Sequence, residues 1–231
     1  MLIRLPGARP PRGRAPPRAM SIKIRFATPA DAAAIADIYA PFCGSESVVS
    51  FETAPPTAAE MAERIAKTTA QYPWLVAGDA TGIRGYVYAS RHRERAAYRW
   101  AVEVTVYLRP DSRGRGLGAA LYGVLFDLLR AQGFHRAYAG IALPNPASVG
   151  LHTALGFRRV GVYHGVGYKG GAWRDVSWWE LPLQPETATA PAEPKPLAAL
   201  LAGPDWTRAI AAGEARLAAA STGSAASPVS R

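Results

Sequence analysis

The chain has 231 residues, one cysteine and a formal charge of +10, which suits one domain of ordinary size with tails and excludes an internal disulfide framework. No apolar run approaches the roughly 20 residues needed to span a bilayer. The charge would ordinarily point to nucleic acid or another anionic partner, but residues 1–20 carry five arginines, five prolines and no acid. Half of the excess therefore lies in a segment that cannot build a packed core.

Residues 1–20 are expected to be a disordered Arg/Pro-rich extension. They lack the apolar centre of a secretory signal; a basic transit peptide is an alternative, though one would usually carry more serine and an amphipathic pattern, and Met20 before SIKIRF offers an alternative translation start. Residues 21–183 are expected to form the folded unit. Residues 184–231 are rich in alanine and proline and hold one aromatic, Trp206; they are expected to be a disordered or weakly helical tail. Short helices over 197–201 and 206–217 are conceivable there, interrupted by Gly203, Pro204 and Gly213.

Within the folded unit, SIKIRFA alternates as a strand does. Thr28-Pro29-Ala30-Asp31 is a capping-box-like helix start with proline at the first helical position, followed by Ile35, Ile38 and Tyr39 on one face. A loop over 41–56 contains SVVSFE. Thr57 to Glu60 opens a second helix that buries Met61 and Ile65 and runs to about Ala70. YPWLVAG and IRGYVYAS read as two strands across an Asp-Ala-Thr-Gly turn. A central strand is expected over 98–108, a helix to about Gln132, a strand in HRAYAGIAL, a short helix over 145–155, and two further strands in RRVGVYHGVGYK and WRDVSWWEL. Strands at both ends with helices between imply a mixed α/β sheet.

The stretch RGRGLGA, residues 113–119, joins the central strand to its helix. Gly114, Gly116 and Gly118 leave the backbone open to an anion, and the first helical turn offers unpaired N–H groups. A Walker loop would need a Gly-Lys-Ser/Thr ending, and a dinucleotide fingerprint would need GxGxxG with a later acid; neither is present. The string does match Arg/Gln-x-x-Gly-x-Gly/Ala, and so resembles the pyrophosphate loop of the GNAT acetyltransferases. Glycine-rich turns with arginines also occur in ordinary solvated loops.

IYAPFC (38–43), SFE (50–52), AAYRWAVEVTVYL (96–108), IALPNPASVGLH (141–152), LGF (155–157) and GAWRDVSWWE (171–180) carry a closer resemblance. Together they are similar to the phosphinothricin, methionine sulfone and methionine sulfoximine acetyltransferases, over residues 24–181. The resemblance implies a GNAT fold, α/β (α+β), with a mixed, mostly antiparallel central sheet flanked by helices. It also implies an acetyl-CoA-dependent N-acetyltransferase, a small amino-acid acceptor and a homodimer. The single Cys43 is compatible with a reducing cytoplasm, the expected location, and neither a metal nor a membrane partner is expected. Neither tail is covered by it.

For the cofactor, the resemblance assigns the pyrophosphate to the amides of Gly114, Arg115, Gly116, Leu117, Gly118 and Ala119. The backbone of Val106, Tyr107 and Leu108 would pair with the peptide-like pantetheine arm, with Asn145 and more weakly Ser148 bonding the same arm. LPNPAS is equally an ordinary turn and helix cap. Glu103 interrupts an otherwise apolar or small run; a carboxylate there is costly unless paired, and desolvation makes carboxylates stronger bases. It is the expected base, directly or through a water, unless strand alternation merely turns it to solvent or an arginine. His152 stands where many superfamily members carry a tyrosine that protonates the departing thiolate, and histidine can do this near neutral pH. The alternatives are packing beside Leu151 and Leu155, or orienting Glu103 or a water, with Tyr107 a weaker candidate for the acid.

The acceptor's carboxylate needs a cation, for which arginine geometry is suited, and RHRERAAYR (91–99) supplies several, most of them expected to be solvated. By similarity, Arg93, Glu94, Arg95 and the strand residues Glu103, Val104 and Thr105 would contact the acceptor, with Phe51 and Tyr98 walling its side chain. Trp173, Trp178 and Trp179 read as core or subunit interface. A protein amine as acceptor would instead require an open groove. A nucleic-acid partner would depend on the basic extension and on salt, and no recognition motif supports one.

Overall fold

The computed structural model describes residues 22–186 and 188–223. The basic extension, the alternative start at Met20 and the last residues of the tail lie outside these. The described chain forms a seven-stranded sheet in the order β1-β2-β3-β4-β5-β7-β6. The strands are β1 (Lys23–Phe26), β2 (Trp74–Asp79), β3 (Gly82–Arg91), β4 (Ala101–Leu108), β5 (Arg136–Ala142), β6 (Arg158–Lys169) and β7 (Ala172–Pro182). Only β4 and β5 run parallel; the other neighbours are antiparallel. The mixed, mostly antiparallel sheet expected from the sequence is the one observed.

Side-chain alternation along β4 sends alternate residues to two different cores. Val102 and Val104 join Leu121, Leu125 and Leu128 of α3 (Leu117–Gln132). Tyr107 packs on the opposite face against a cluster built from α1 (Ala32–Tyr39) and α2 (Ala58–Thr69), with Ile35, Met61 and Ile65 fully buried. The helix starts behave as their residues dictate. The Asp31 carboxylate accepts from the Thr28 N–H at 2.8 Å and from Arg25 at 2.6 and 2.7 Å, which holds it below the usual carboxylate range. Thr57 and Glu60 form a reciprocal capping box, with the Glu60 N–H on Thr57 Oγ1 at 3.2 Å and the Thr57 N–H on Glu60 Oε2 at 2.7 Å; such caps contribute about 1 kcal/mol.

The central strand begins at Ala101, three residues later than expected, because Ala96–Tyr98 make a 3₁₀ turn. The larger difference lies in the tail. Leu197–Leu201 (α5) and Asp205–Gly223 (α6) are helices packed on the outer face of α3, with Leu197, Leu200, Ala209 and Leu217 buried. Gly213 does not interrupt α6: a Cβ there would lie 2.2 Å from Val124 Cγ2 and 3.2 Å from Ile24 Cδ1, so glycine is what lets the helix close on α3 and β1. Trp206 packs on Phe26, ring centroids 5.9 Å apart.

Candidate active site

Parallel pairing of β4 with β5 covers only Ala101 to Glu103 against Arg136 to Tyr138. Beyond that register the flank of β4 facing β5 has no neighbouring strand, and a cleft of about 480 Å³ opens between residues 104–108 and 139–142. Unpaired strand edges are costly to bury, and a peptide-like ligand can satisfy them by adding itself as a strand. Val106, Tyr107 and Leu108 all line this cleft. Tyr107 does so through its backbone, since its ring is engaged by Tyr39, Phe42 and Tyr86 at 4.9–5.6 Å.

At the end of β4 the chain turns into α3 through Gly114 (φ 71°) and Gly116 (φ 77°), both in the left-handed region that favours glycine. The first helical hydrogen bond runs from the Ala120 N–H to the Gly116 carbonyl at 3.0 Å. The preceding N–H groups of Leu117, Gly118 and Ala119 are therefore the helix's open donors, and they carry the positive end of its dipole. A Cβ on Gly118 would touch Leu151 Cδ2 at 3.3 Å. Gly114, Gly116, Leu117, Gly118 and Ala119 line the cleft together with Arg113, whereas Arg115 is exposed and does not. A narrow strand-walled cleft ending on a nest of helix N–H groups fits a pantetheine arm followed by a pyrophosphate, the two parts of coenzyme A.

Asn145 caps α4 (Pro146–Ala154), its Oδ1 accepting from the Ser148 N–H at 3.1 Å, so the cap reading of LPNPAS holds; both residues also line the cleft. His152 is buried on α4. Its Nδ1 lies 2.8 Å from the Ser148 carbonyl oxygen, which can only accept, so Nδ1 carries the proton and Nε2 accepts from the Tyr122 hydroxyl at 3.1 Å. Burial lowers the imidazole's pKa against the opposing effect of its hydrogen bond to the Ser148 carbonyl, and burial drives the Tyr122 phenol well up. In this arrangement both ring nitrogens are engaged and neither directs a proton into the cleft.

On the face of β4 opposite α3, Glu103 Oε1 accepts from Arg93 Nη1 at 3.0 Å and from His92 Nδ1 at 3.1 Å. His92 stacks face to face on Tyr138, ring centroids 4.4 Å apart, with Tyr98 and Trp178 edge-on at 6.1 Å. Burial first, then the Arg93 charge, lowers the His92 pKa against the pull of Glu103. Arg93 also lies over the Trp178 ring at 5.5 Å. This cluster adjoins the cleft. Thr105, two residues along the same face from Glu103 and so about 7 Å away, lines it, as does Gly140, over which Trp178 packs so that an added Cβ would be in ordinary contact with its ring at 3.4 Å.

The structure thus brings Glu103, Arg93, Tyr98 and Thr105 to one side of β4, and turns Val104 into the core beneath it. Glu94 pairs with Arg91 at 2.8 Å with its side chain 89% exposed, and Arg95 is exposed; neither reaches the cluster. Phe51 packs over Gly167 of β6. Of the three tryptophans, Trp179 is core, Trp173 is exposed, and Trp178 belongs to the cluster. His92 and Tyr138 of the cluster and Tyr122 of the cleft lining were not singled out in the sequence, and Trp178 was read there as core or subunit interface. An imidazole between two arginines, just beyond a predicted strand, was the one local signal.

A fold with this split parallel pair, and a loop that delivers helix N–H groups to its end, defines an acyl-coenzyme A-dependent transferase. The acetyltransferase (GNAT) domain profile matches residues 24–178, and the chain belongs to that family of N-acetyltransferases. It is 39% identical over 181 residues to a phosphinothricin N-acetyltransferase of Streptomyces viridochromogenes, covering 78% of this chain and 96% of that one. It is 40% identical over 173 residues to an L-methionine sulfoximine/L-methionine sulfone acetyltransferase of Pseudomonas aeruginosa, covering 74% and 100%. Among solved structures, a phosphinothricin acetyltransferase from Sinorhizobium meliloti in complex with AcCoA superposes with a TM-score of 0.70 at 41% identity, covering 75% and 95%.

Proposed function

We propose that this enzyme transfers the acetyl group of acetyl-CoA to the α-amine of a small amino acid such as phosphinothricin, methionine sulfoximine or methionine sulfone. The observation that carries this reading is the junction of two unlike half-sites at one strand. A backbone-walled cleft ends on helix N–H groups on one side of β4, and Glu103 with Arg93 stands on the other. Acetyl-CoA supplies an activated thioester; the protein supplies position and proton transfer. Arg93 offers its guanidinium to the acceptor's carboxylate, and the Glu103 centre removes the proton that the acceptor's ammonium must lose. Tyr122 and His152 bond each other at the cleft wall, and with both imidazole nitrogens so engaged the pair is read as positioning.

Relatives sharing about 40% identity carry names that specify these acceptors, which supports the choice. Steady-state release of free thiol from acetyl-CoA, measured across the three amino acids and a few peptides with free amino termini, tests it. Saturable turnover on the amino acids alone is the expected result; turnover only on peptides would overturn the acceptor assignment.

The protein is further proposed to work as a cytoplasmic homodimer. The β6–β7 hairpin exposes Val160, Tyr163, Val166, Tyr168 and Trp173, each at least 50% exposed, an apolar surface of the kind a partner subunit covers. Sedimentation should give twice the chain mass, and Trp173→Glu should shift it to the monomer. Among the described residues no helix is long and apolar enough to cross a membrane.

A further inference from the structure

The Glu103 Oε1 atom that would meet an acceptor's ammonium is already occupied by two donors, Arg93 Nη1 and His92 Nδ1. A carboxylate only accepts, so the contact fixes the His92 tautomer: Nδ1 carries the hydrogen and the lone pair lies on Nε2. Among the described residues Nε2 has no hydrogen-bond partner. The ring cannot swing away, being stacked on Tyr138 and met edge-on by Tyr98 and Trp178, with its side chain 12% exposed. Trp178 in turn lies over Gly140 in the cleft lining.

We propose that His92 is the proton acceptor of the reaction and Glu103 its orienting partner, the two forming a carboxylate–imidazole dyad at the acceptor side of β4. In the step, an N–H bond of the acceptor's ammonium breaks, its proton joins Nε2, and its electron pair stays on nitrogen as the nucleophile. The imidazolium so formed keeps its Nδ1–H on Glu103, whose charge balances it. Burial keeps the resting imidazole neutral and so able to accept. The charged and titratable groups facing it are Glu103 from β4, Arg93 from its own turn, Tyr98 from the following turn and Tyr138 from β5; Trp178 from β7 is uncharged. This assignment rests on the acetyl-transfer reading above.

The test combines kinetics with a measurement independent of activity. With acetyl-CoA and methionine sulfone near neutral pH, His92→Gln and Glu103→Gln should each lower kcat by about 100-fold or more. The double variant should be hardly worse than either, because the pair acts as a unit, and calorimetric acetyl-CoA affinity should stay within about 2-fold. The His92→Gln deficit should shrink at least about tenfold once the pH deprotonates the acceptor's amine in solution. Long-range proton–nitrogen NMR of histidine-labelled enzyme should show His92 as the Nδ1–H tautomer. A His92→Gln variant within about 3-fold of the native enzyme, alongside an inactive Glu103→Gln, would assign the proton to Glu103 alone. An Nε2–H tautomer would overturn the dyad even if no tested amine is a substrate, so failure of the acceptor assignment and failure of the dyad read differently.

Discussion

The two sides of β4 solve their tasks with different material. The cofactor side is built from backbone: an unpaired strand flank, two left-handed glycines and a helix start, with its one imidazole, His152, held at both nitrogens. The acceptor side is built from charged and aromatic side chains, and its imidazole, His92, is held at one nitrogen only. Coenzyme A carries the same amides and phosphates wherever it binds, so fixed backbone geometry suffices for it. An amino acid must be oriented and deprotonated, which demands titratable side chains.

If that contrast is right, the cofactor side should be sensitive to backbone shape and indifferent to nearby charge. Gly116→Val forces a β-branched residue to φ 77°, a conformation costing an L-residue about 1–2 kcal/mol. The KM for acetyl-CoA should therefore rise about tenfold while the acceptor KM stays near its native value. Arg115→Ala, outside the cleft lining, should change the acetyl-CoA KM by less than about 2-fold. Equal effects from the two substitutions would break the comparison.

A smaller effect sharpens it. Tyr122→Phe removes the donor to His152 Nε2 and leaves a buried acceptor unsatisfied, at about 1–3 kcal/mol of stability, read as a lower urea midpoint. A positioning pair predicts that kcat falls only modestly; a hundredfold loss with unchanged stability would give the hydroxyl a part in the chemistry. The smallest effect is in pH. Because burial lowers the His152 pKa in the folded chain, the unfolded chain binds the extra proton between the two values. Stability then rises with pH in that window and is lost as pH falls below about 6.5. His92 has the same sign, so His152→Gln should flatten part of that acid limb in thermal melts, not all of it.

How much of this could be read in advance follows the same division. The strands, capping boxes and glycine loop are local patterns of period and spacing, and they lie where their residues place them. Glu103 stood out as one charge in an apolar strand, a contrast visible without coordinates. His92, just past the end of β3, Tyr138 of β5 and Trp178 of β7 are far apart in sequence and meet only because the order β3-β4-β5-β7 brings their strands together. Tyr122 is indistinguishable in sequence from any core aromatic of α3. The C-terminal helices read as a weak tail because their alanines advertise no apolar stripe. Their packing depends on what is missing at Gly213, where an added Cβ would collide with Val124 and crowd Ile24.

Those helices have a consequence for how the protein keeps company with other copies of itself. β1 is an outer strand, and such strands offer unspent N–H and C=O groups to any chain that approaches. Here Glu214 of α6 accepts from the Ile24 N–H at 3.0 Å and binds Lys23 at 2.9 Å, while Trp206 covers Phe26 beside it. The C-terminal addition therefore acts as a selvedge on the sheet, finishing a border from which strand-by-strand aggregation could otherwise grow.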